Sequence, residues 1–229
     1  MANRPYILLS GAVSLDGYLD DAGPHRLLLS NAADLDRVDA LRAQCDAILV
    51  GANTLRRDDP HLQLRDGARR DARVASGRRA SPLRVTVTRG GVLPVGAHFF
   101  ASSGEPALVY AAHAAAAALC SALVARAVVV DLGEQPTLDA VVADLHARGV
   151  GRLLVEGGGR VFTQFLQGGL VDELRIAVAP IFVGNARAPR FVGDGAFPWC
   201  PGCRARLIDV AALGDVAVLR YALSARCTD

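Results

Sequence analysis

Short apolar runs alternate with segments of helical periodicity along most of the chain, and this alternation constrains the fold more than any other feature. Ala47–Val50 and Leu83–Thr88 have the composition of buried strands. Further along, Leu138–Leu145 places apolar residues at the i, i+3, i+4 and i+7 positions of one helix face. A chain of alternating strands and helices forms a mainly parallel sheet with helices on both faces.

The end of the chain has a different pattern. Two apolar runs, Ala205–Ala212 and Ala217–Leu223, lie about four residues apart around Gly214-Asp215 and predict an antiparallel hairpin. The segment Arg65–Pro82 is rich in Arg, Ala, Asp and Gly. It predicts a mobile loop and not a linker between domains, because the strands on both sides of it fit one sheet. We therefore expect a single α/β domain over residues 1–229, with the hairpin at one edge of its sheet.

Composition excludes several classes of function. The formal net charge is +2, which is too close to neutral to favour nucleic acid or an anionic membrane as a partner. All 25 basic side chains are arginine, which excludes Schiff-base lysine chemistry and a P-loop lysine. No apolar stretch reaches the ~18 residues of a membrane span, and Tyr6–Ser10 predicts a first strand, not a signal peptide. We expect a cytoplasmic protein with no membrane partner.

The five cysteines do not indicate a disulfide framework, because their number is odd and no secretion signal precedes them. Cys200 and Cys203 form a C-x-x-C motif, which in other proteins is a redox pair or half of a zinc site. Here the motif lies in a Pro- and Gly-rich loop ahead of the hairpin, whereas a thioredoxin-type pair follows an early strand and opens a helix. The histidines show no ligand spacing. We expect an incidental or loop-stapling pair and no metal site.

The stretch Leu153–Phe162 contains an apolar strand, the consecutive glycines Gly157, Gly158 and Gly159, and the start of a helix. Glycine lets backbone N–H groups approach a ligand closely, and a helix start adds unpaired donors and a positive dipole end. This arrangement predicts a pyrophosphate site over the glycines and Arg160. The dinucleotide fingerprint G-x-G-x-x-G does not fit, since it opens the first βα turn of a chain. A tight turn, where the helix packs against the strand, is the alternative.

A second candidate site follows the strand that ends at Val50, because ligands bind at the carboxyl ends of parallel strands. Thr54 can offer a hydroxyl to a phosphate or an amide. Pro60 predicts an extended conformation for Asp59, so the two neighbouring aspartates need not point the same way. We predict that Asp58 faces the site as an acid–base or orienting group and that Asp59 has a structural role. An Asx-type turn at Asp-Asp-Pro is the alternative.

Three arginines are candidates for binding phosphate, because the guanidinium fork binds phosphate oxygens in pairs. Arg42 lies on a predicted helix, and Arg65 follows the strand-like Leu62–Leu64. Arg89 follows the strand that ends at Thr88 and is a candidate for contacting the ribose 2′-phosphate of NADPH. For any one of the three, a solvent-facing cation is the alternative.

Together these segments resemble the riboflavin-pathway reductase domain, which is the C-terminal part of a bifunctional deaminase–reductase. The resemblance runs in order along nearly the whole chain. It rests on Arg4-Pro5-Tyr6, Ser14-Leu15-Asp16-Gly17, Leu41-Arg42-Ala43-Gln44, Ala47-Ile48-Leu49, Thr54, Asp58-Asp59-Pro60, Val155-Glu156-Gly157-Gly158, Leu170-Val171-Asp172-Glu173-Leu174 and Ala179-Pro180. Each short motif is unspecific by itself, but the ordered set is specific for the family.

The resemblance implies a dihydrofolate-reductase-like fold and an NADPH-dependent reaction on a small phosphorylated heterocycle. In riboflavin biosynthesis the family reduces the ribosyl group of 5-amino-6-(5-phosphoribosylamino)uracil to a ribityl group, and it commonly forms homodimers. By position, the resemblance implies a cofactor site lined by Val13, Thr54, Thr88 and Gly158–Gln164, a segment that includes Val161 and Phe162. It implies a substrate site lined by Arg42, Leu62, Arg65 and Glu156, with Asp58 between the two at the reacting centre.

The chain departs from the family at two positions. Ahead of the first helix the family often has a serine, followed two residues later by a tryptophan, where this chain has Arg26 and Leu28. Relatives of this fold also act on pterins and other heterocycles, so a reductase of another heterocycle is an alternative. A non-catalytic nucleotide-binding protein and a thiol–disulfide oxidoreductase that uses Cys200 and Cys203 are further alternatives.

Overall fold

The computed structural model describes residues 4–23, 25–101 and 105–228 of the chain. Its nine strands are β1 (Tyr6–Ser14), β2 (Ala47–Gly51), β3 (Leu83–Thr88), β4 (Ala107–Ala111), β5 (Ala127–Asp131), β6 (Arg152–Gly157), β7 (Glu173–Ala179), β8 (Arg206–Leu213) and β9 (Val216–Ala222). The helices within those ranges are α1 (Ala32–Ala43), α2 (Ala52–Asp58), α3 (Gly67–Ala75), α4 (His98–Ala101), α5 (His113–Ala122), α6 (Leu138–Ala147) and α7 (Gly159–Gln167). In this described part of the chain, the helices lack the combination of length and apolar character that a transmembrane helix needs.

The strands form a sheet in the order β5-β4-β3-β2-β6-β1-β7-β9-β8. β2, β3, β4 and β5 pair in parallel in that order, and β1 pairs in parallel with β7. β9 pairs antiparallel with both β7 and β8. The predicted α/β class, the mainly parallel sheet and the C-terminal hairpin are therefore confirmed. The hairpin turn is shorter than expected, because only Gly214 and Asp215 connect the two strands, with Gly214 at φ +64°.

The chain divides into two compact units, each built from separate stretches. Unit 1 comprises Met1–Pro5 and Leu41–Leu154, and unit 2 comprises Tyr6–Ala40 and Val155–Asp229. The expectation of a single domain over residues 1–229 stays a prediction.

In unit 1, the apolar sequences of β2 and β4 are buried along their whole length. Continuous apolar runs are typical of parallel strands that are covered on both faces. Helix α6 buries Val141, Val142 and Leu145, the apolar positions that the sequence spacing predicts for one face. The α6 helix ends where Gly149 takes φ +86°, a left-handed conformation that suits glycine after a helix.

Helix α3 corrects one expectation. The segment Arg65–Pro82 is predicted above to be a loop, but half of it forms this helix. Arg73 is only 2% exposed, and its guanidinium donates hydrogen bonds to the carbonyls of Ala43 and Cys45 at 2.7 and 2.8 Å. The composition of the segment does not predict this helix. The buried side chain that attaches the helix to unit 1 is an arginine, and arginines are mostly exposed in proteins.

In unit 2, Asn31 connects the start of α1 to the C-terminal hairpin. Its side-chain oxygen accepts a hydrogen bond from the Asp34 N–H at 3.0 Å, which caps the helix. Its Nδ2 donates to the Leu213 carbonyl at 2.6 Å and to the Asp215 carboxylate at 2.8 Å. Leu213 ends β8 and Asp215 lies in the following turn, so one amide side chain fixes both the helix start and the turn.

Two neighbouring carboxylates, Asp172 and Glu173, are buried at the amino end of β7 in unit 2. Asp172 accepts hydrogen bonds from the Ile7 N–H at 2.9 Å and from the Ser224 hydroxyl at 2.6 Å. It therefore connects the start of β1 with the segment that follows β9. A buried carboxylate is tolerated only where such partners replace the lost water.

Glu173 accepts hydrogen bonds from the Tyr6 hydroxyl at 2.8 Å, from Arg175 Nε at 2.6 Å and from Arg220 Nε at 2.8 Å. Burial by itself raises the pKa of this carboxyl group. The hydrogen bond from Arg220 and the charge of Arg175 outweigh the burial, so the pKa of Glu173 lies below its ordinary value. One buried carboxylate thus joins side chains from β1, β7 and β9.

We predict that Glu173→Gln lowers the free energy of unfolding by about 3 kcal/mol at neutral pH, because two guanidinium groups lose a buried carboxylate partner. The pKa of Glu173 is lower in the folded state, so its contribution to stability is full above the ordinary pKa of 4.5. That contribution is lost as the pH falls through the folded-state pKa. Urea unfolding of both proteins at several pH values measures the difference, which is expected to shrink in acid.

Glu105→Gln is the matched control, because the Glu105 carboxylate is 56% exposed and pairs with Arg79 at the surface. Its loss is expected to change the free energy of unfolding by less than about 1 kcal/mol. A difference between wild type and Glu173→Gln that stays constant from neutral to acidic pH would contradict the role of the charged carboxylate.

Candidate functional site

The predicted site residues divide between the two compact units, and the structure shows which of them lie together within each unit. Unit 1 contains Arg42, Thr54, Asp58, Leu62, Arg65, Thr88 and Arg89. Unit 2 contains Val13, Glu156, Gly157, Gly158, Gly159, Arg160, Val161 and Phe162.

In unit 1, Thr54 and the turn that begins at Thr88 lie beyond the carboxyl ends of β2 and β3. These two strands pair in parallel, so their carboxyl ends meet at one edge of the sheet. Thr54 is half-buried in the first turn of α2, which starts directly after Gly51. Arg56 of the same helix donates a hydrogen bond to the Val92 carbonyl at 2.6 Å. This contact, to which sequence reasoning assigned no role, ties α2 to the segment that follows β3.

The turn after β3 presents Arg89 to solvent. The Thr88 hydroxyl accepts a hydrogen bond from the Gly91 N–H at 3.1 Å, which closes the turn. Gly91 has φ +70°, and a Cβ at this position would lie 2.7 Å from the Cβ of Ala115. Only glycine fits there. Thr88 is 9% exposed whereas Arg89 is exposed, so the threonine shapes the turn and leaves the guanidinium accessible to an anion.

The two neighbouring aspartates at the end of α2 have different conformations. Asp58 is the last residue of the helix and is half-buried. Asp59 takes the left-handed conformation, with φ 40° and ψ 57°, so the expectation of an extended Asp59 is wrong. The Asp59 N–H donates to the Leu55 carbonyl at 3.3 Å and closes the last helical turn. Pro60 disfavours the right-handed helical conformation at Asp59, but this left-handed helix end is compatible with it.

His98, the first residue of α4, fixes the Asp59 carboxylate. Asp59 Oδ1 accepts a hydrogen bond from the His98 N–H at 2.7 Å, and Oδ2 lies 2.7 Å from His98 Nδ1. The His98 ring also lies against the His61 ring, with 4.3 Å between their centroids. These contacts support the predicted structural role of Asp59. No signal in the sequence points to His98, which lies 39 residues away.

Arg42 contacts the segment after Pro60, and that segment contacts the residues just ahead of β3. Arg42 is in the last turn of α1, and its Nη1 donates to the Gln63 carbonyl at 3.5 Å. The Leu64 N–H donates to the Ser81 hydroxyl at 3.1 Å, just ahead of β3.

Leu62 and Arg65 flank this contact and differ in burial. Leu62 is 3% exposed and has φ +53°, which marks a sharp change in chain direction. Arg65 is exposed, and its backbone carbonyl accepts a hydrogen bond from Arg70 Nη1 at 2.8 Å. The structure thus brings Arg42 and the segment from Leu62 to Arg65 together.

In unit 2, Val13 lies near the carboxyl end of β1, opposite Val178 of β7, and is 6% exposed. In the turn after β1, Asp16 accepts hydrogen bonds from the Ser14 hydroxyl at 2.6 Å and from the Gly184 N–H at 2.8 Å. The hydrogen bond from Ser14, together with that from Gly184, lowers the pKa of Asp16 to about 2. Asp16 is therefore a charged anchor of the turn next to Val13, a role that its motif did not reveal.

Among the three consecutive glycines, Gly158 and Gly159 are required for different structural reasons. Gly157 ends β6, and Gly158 precedes α7 with φ +98° and ψ 111°, a conformation that only glycine adopts readily. Gly159 begins the helix, and a Cβ there would lie 2.6 Å from the carbonyl oxygen of Arg190. The tight-packing alternative therefore accounts for Gly159, since the chain itself occupies the space beside it.

The first turn of α7 retains backbone donors. The N–H groups of Gly159, Arg160 and Val161 precede the first helical hydrogen bond, which runs from the Phe162 N–H to the Gly158 carbonyl at 2.9 Å. Gly158 offers no side chain to cap the helix. Arg160 is exposed, whereas Val161 and Phe162 are 5% and 0% exposed, so their side chains belong to the core. Of these last two residues, only the backbone can contribute to a site.

Three further residues remain to be placed: Glu156, and the two positions at which the chain departs from the family, Arg26 and Leu28. Glu156 is half-buried in β6. Arg26 and Leu28 are both exposed in the segment ahead of α1. Across residues 4–23, 25–101 and 105–228, no group of three or more His, Cys, Asp or Glu side chains is arranged to hold a metal ion.

Comparison with known proteins gives matches along nearly the whole chain. A family model described as the RibD C-terminal domain matches residues 5–219. The 2,5-diamino-6-ribosylamino-4(3H)-pyrimidinone 5′-phosphate reductase of Archaeoglobus fulgidus is 33% identical over 218 residues, which cover 95% of the chain and 99% of that protein. The protein of the same name from Methanothermobacter thermautotrophicus is 34% identical and is covered over 98% of its length.

Solved structures are similar over the same extent. A pyrimidine reductase-like protein from Corynebacterium diphtheriae has a TM-score of 0.79, and the alignment covers 96% of this chain and 92% of that protein. The sequence identity is 23%, so this similarity supports the fold alone. RibD from Acinetobacter baumannii has a TM-score of 0.78 at 26% identity, and the chain covers 58% of its length.

We predict that Asp59→Ala destabilises the protein more than Asp59→Gly does, by about 1 kcal/mol. Both variants lose the contacts with His98, but only alanine carries a Cβ in the left-handed conformation. Chemical denaturation of the two variants isolates this backbone effect, because the loss of the carboxylate is common to both. An alanine variant as stable as the glycine variant would show that the backbone at residue 59 does not keep its φ of 40°.

Proposed function

The chain belongs to the RibD C-terminal domain family, and on that premise we propose that it is a reductase of riboflavin biosynthesis. In the proposed reaction, the ribosyl group of a phosphorylated ribosylamino-pyrimidine becomes a ribityl group. The observation that carries the proposal is the similarity to the Archaeoglobus fulgidus reductase, which the chain matches over 99% of that protein's length.

Two pyrimidines are candidate substrates, and they differ in having an amino or an oxo group at ring position 2. The relatives that the chain matches over nearly their whole length are named for the 2,5-diamino compound, which we favour. The family resemblance in the sequence implies 5-amino-6-(5-phosphoribosylamino)uracil. Two relatives named RibD, from Synechocystis and Bacillus amyloliquefaciens, are 29% identical, and the chain spans 50% of their length.

The proposed phosphate-binding residues are Arg42 and Arg65. A guanidinium binds two phosphate oxygens through parallel hydrogen bonds, which fixes the orientation of the ligand as well as its charge. Arg42 is held beside Gln63 by its contact with that carbonyl, and the backbone of Arg65 is fixed by Arg70. Leu62 is 3% exposed, so its side chain packs in the core beneath this segment and only its backbone is available to a ligand.

We assign Glu156 to the pyrimidine ring. An ionised carboxylate only accepts hydrogen bonds, and both candidate pyrimidines present N–H or amino donors. Glu156 is half-buried in β6, directly before the glycines. Its carboxylate would therefore fix the orientation of the ring.

The proposed cofactor is NADPH, which supplies the hydride when bound. Each compact unit has one place whose residues suit a part of such a dinucleotide. At the start of α7, three backbone N–H groups beside exposed Arg160 suit a diphosphate, and Gly158 places no Cβ over them. In unit 1, the closed turn after β3 exposes the Arg89 guanidinium, which suits the 2′-phosphate that distinguishes NADPH from NADH.

Asp58 is the proposed catalytic residue. Reduction of the ring-opened imine form of the sugar adds a hydride to C1′ and a proton to the attached nitrogen. Asp58 supplies or relays that proton and orients the substrate. Its half-buried position at the end of α2 limits competing water, and the neighbouring Asp59–His98 contact fixes the backbone that carries it.

We further propose a homodimer. β8 is the last strand of the sheet, and its Leu207 and Val210 side chains are 50% and 57% exposed. An edge strand with exposed apolar side chains favours pairing with another chain. The dihydrofolate-reductase-like superfamily is proposed on the family resemblance alone. A cytoplasmic location is proposed because the sequence predicts neither a signal peptide nor a membrane span.

The proposed function is tested by following the absorbance of reduced nicotinamide with each pyrimidine and, in parallel, a pterin. We expect oxidation of NADPH with the 2,5-diamino pyrimidine phosphate and formation of the ribityl product. Asp58→Asn is expected to reduce kcat by about 100-fold or more while NADPH still binds. Turnover of the pterin alone would replace the proposed substrate, and near-wild-type turnover by Asp58→Asn would remove the role of Asp58.

Arg89→Ala is expected to raise the KM for NADPH about tenfold and to leave the KM for NADH unchanged, because only NADPH carries the 2′-phosphate. Steady-state kinetics with both cofactors measures the two effects. Arg204→Ala is the matched control, since it removes an exposed arginine outside the predicted site. An equal rise in KM for both cofactors would contradict the assignment of Arg89.

A further inference from the structure

The turn ahead of the hairpin places two exposed thiols side by side. Cys200 and Cys203 are both free and exposed, and Pro201 and Gly202 connect them. The Cys200 N–H donates to the Cys203 carbonyl at 2.9 Å, and the Cys203 N–H donates to the Cys200 carbonyl at 2.9 Å. The two cysteines are therefore a directly opposed, antiparallel hydrogen-bonded pair.

This backbone geometry suits a disulfide. The Cα atoms of an antiparallel hydrogen-bonded pair are about 5.5 Å apart, within the ~4.4–6.8 Å that disulfides join. The Cβ atoms of directly opposed residues are about 4.5–5.5 Å apart, so the turn must narrow by up to about 1 Å for the sulfur atoms to bond. Side chains of directly opposed residues stand on the same face of the two strands. Pro201 restricts the backbone of the turn in the reduced state as well, so little conformational freedom is lost when the ring closes.

The turn is also attached to the rest of unit 2. Trp199 precedes the pair, and its indole Nε1 donates to the Leu223 carbonyl at 3.2 Å, just after β9. The thiols are thereby presented on an anchored segment. The segment from Trp199 to Cys203 contains no residue that we assign to the cofactor or the substrate, so the thiols are a separate site.

A metal site is the other chemistry open to a C-x-x-C pair, and the structure favours it less. Zinc in a structural site takes four ligands, and the pair supplies two. Within the described ranges, no third His, Cys, Asp or Glu groups with the pair as a ligand set. Of the other cysteines, Cys45 and Cys227 are buried and Cys120 is exposed on α5.

We propose that Cys200 and Cys203 are a redox modification site that forms a reversible intramolecular disulfide with a small-molecule disulfide as oxidant. One thiolate attacks the oxidant, breaks its S–S bond and forms a mixed disulfide, releasing one thiolate that takes up a proton. The second cysteine then attacks the protein sulfur of that mixed disulfide and releases the second small thiol. Two cysteines are oxidised, and one oxidant molecule is reduced to two thiols.

The test uses the full chain in buffers with different ratios of reduced and oxidised glutathione. After acid quenching and alkylation of the free thiols, intact mass and peptide mapping locate each modification. We expect the pair to lose about 2 Da with no adduct and to recover both thiols in dithiothreitol. Cys120 is the matched exposed cysteine within the same chain, and it is expected to acquire only a glutathione adduct.

Cys200→Ser and Cys203→Ser each leave one thiol of the pair and are expected to acquire a glutathione adduct at that thiol without internal cross-linking. Thermal unfolding followed by circular dichroism checks that both serine variants are folded. The proposal is overturned if the wild-type pair carries two glutathione adducts, stays reduced in the most oxidising buffer or cross-links separate chains. It is also overturned if the reduced protein purifies with one zinc ion bound to the two thiols.

Discussion

Strands that are buried on both faces leave no room for hydrated charged side chains along their length, and this constraint decides where the carboxylates beside such strands lie. β2 and β4 are buried throughout and contain no charged residue, so carboxylates lie beyond their ends. Asp172 and Glu173 lie at the amino end of β7. Asp46 precedes β2 and accepts hydrogen bonds from the N–H groups of Gly151 and Arg152 at 2.9 and 2.8 Å. Carboxylates at the amino ends thus connect neighbouring chain segments.

The groups beyond the carboxyl ends of the strands have a different character. The Arg89 guanidinium and the first turn of α7 are accessible to a ligand, whereas Glu173 is surrounded by its partners. A carboxylate whose hydrogen bonds are satisfied within the protein stabilises the fold and is unavailable for chemistry. Groups that bind a ligand must instead be accessible to water, which the ligand displaces when it binds. This difference supports placing the proposed cofactor contacts of Arg89 and α7 at the carboxyl ends.

Neighbouring residues in the candidate site have different roles, although a sequence motif groups them as one unit. Gly158 is required by its own backbone conformation, and Gly159 by the approach of the Arg190 carbonyl. Asp59 is bound to His98, so the Asp-Asp-Pro motif combines a structural aspartate with the proposed catalytic Asp58. Cys200 and Cys203 belong to neither purpose and form a pair through the geometry of their own turn.

The fold class, most element positions and the family were predictable from the amino-acid sequence, because burial periodicity and backbone preferences act over a few neighbouring residues. The β3 strand, the apolar face of α6 and the terminal hairpin were predictable on that basis. Three features became visible in the folded protein. Arg73 stabilises a helix within the expected loop, Asp59 is left-handed and bound to His98, and Tyr6 donates to Glu173 across 167 residues. Those contacts join residues far apart in the chain, and local patterns carry no information about which distant partner will satisfy a buried or strained group.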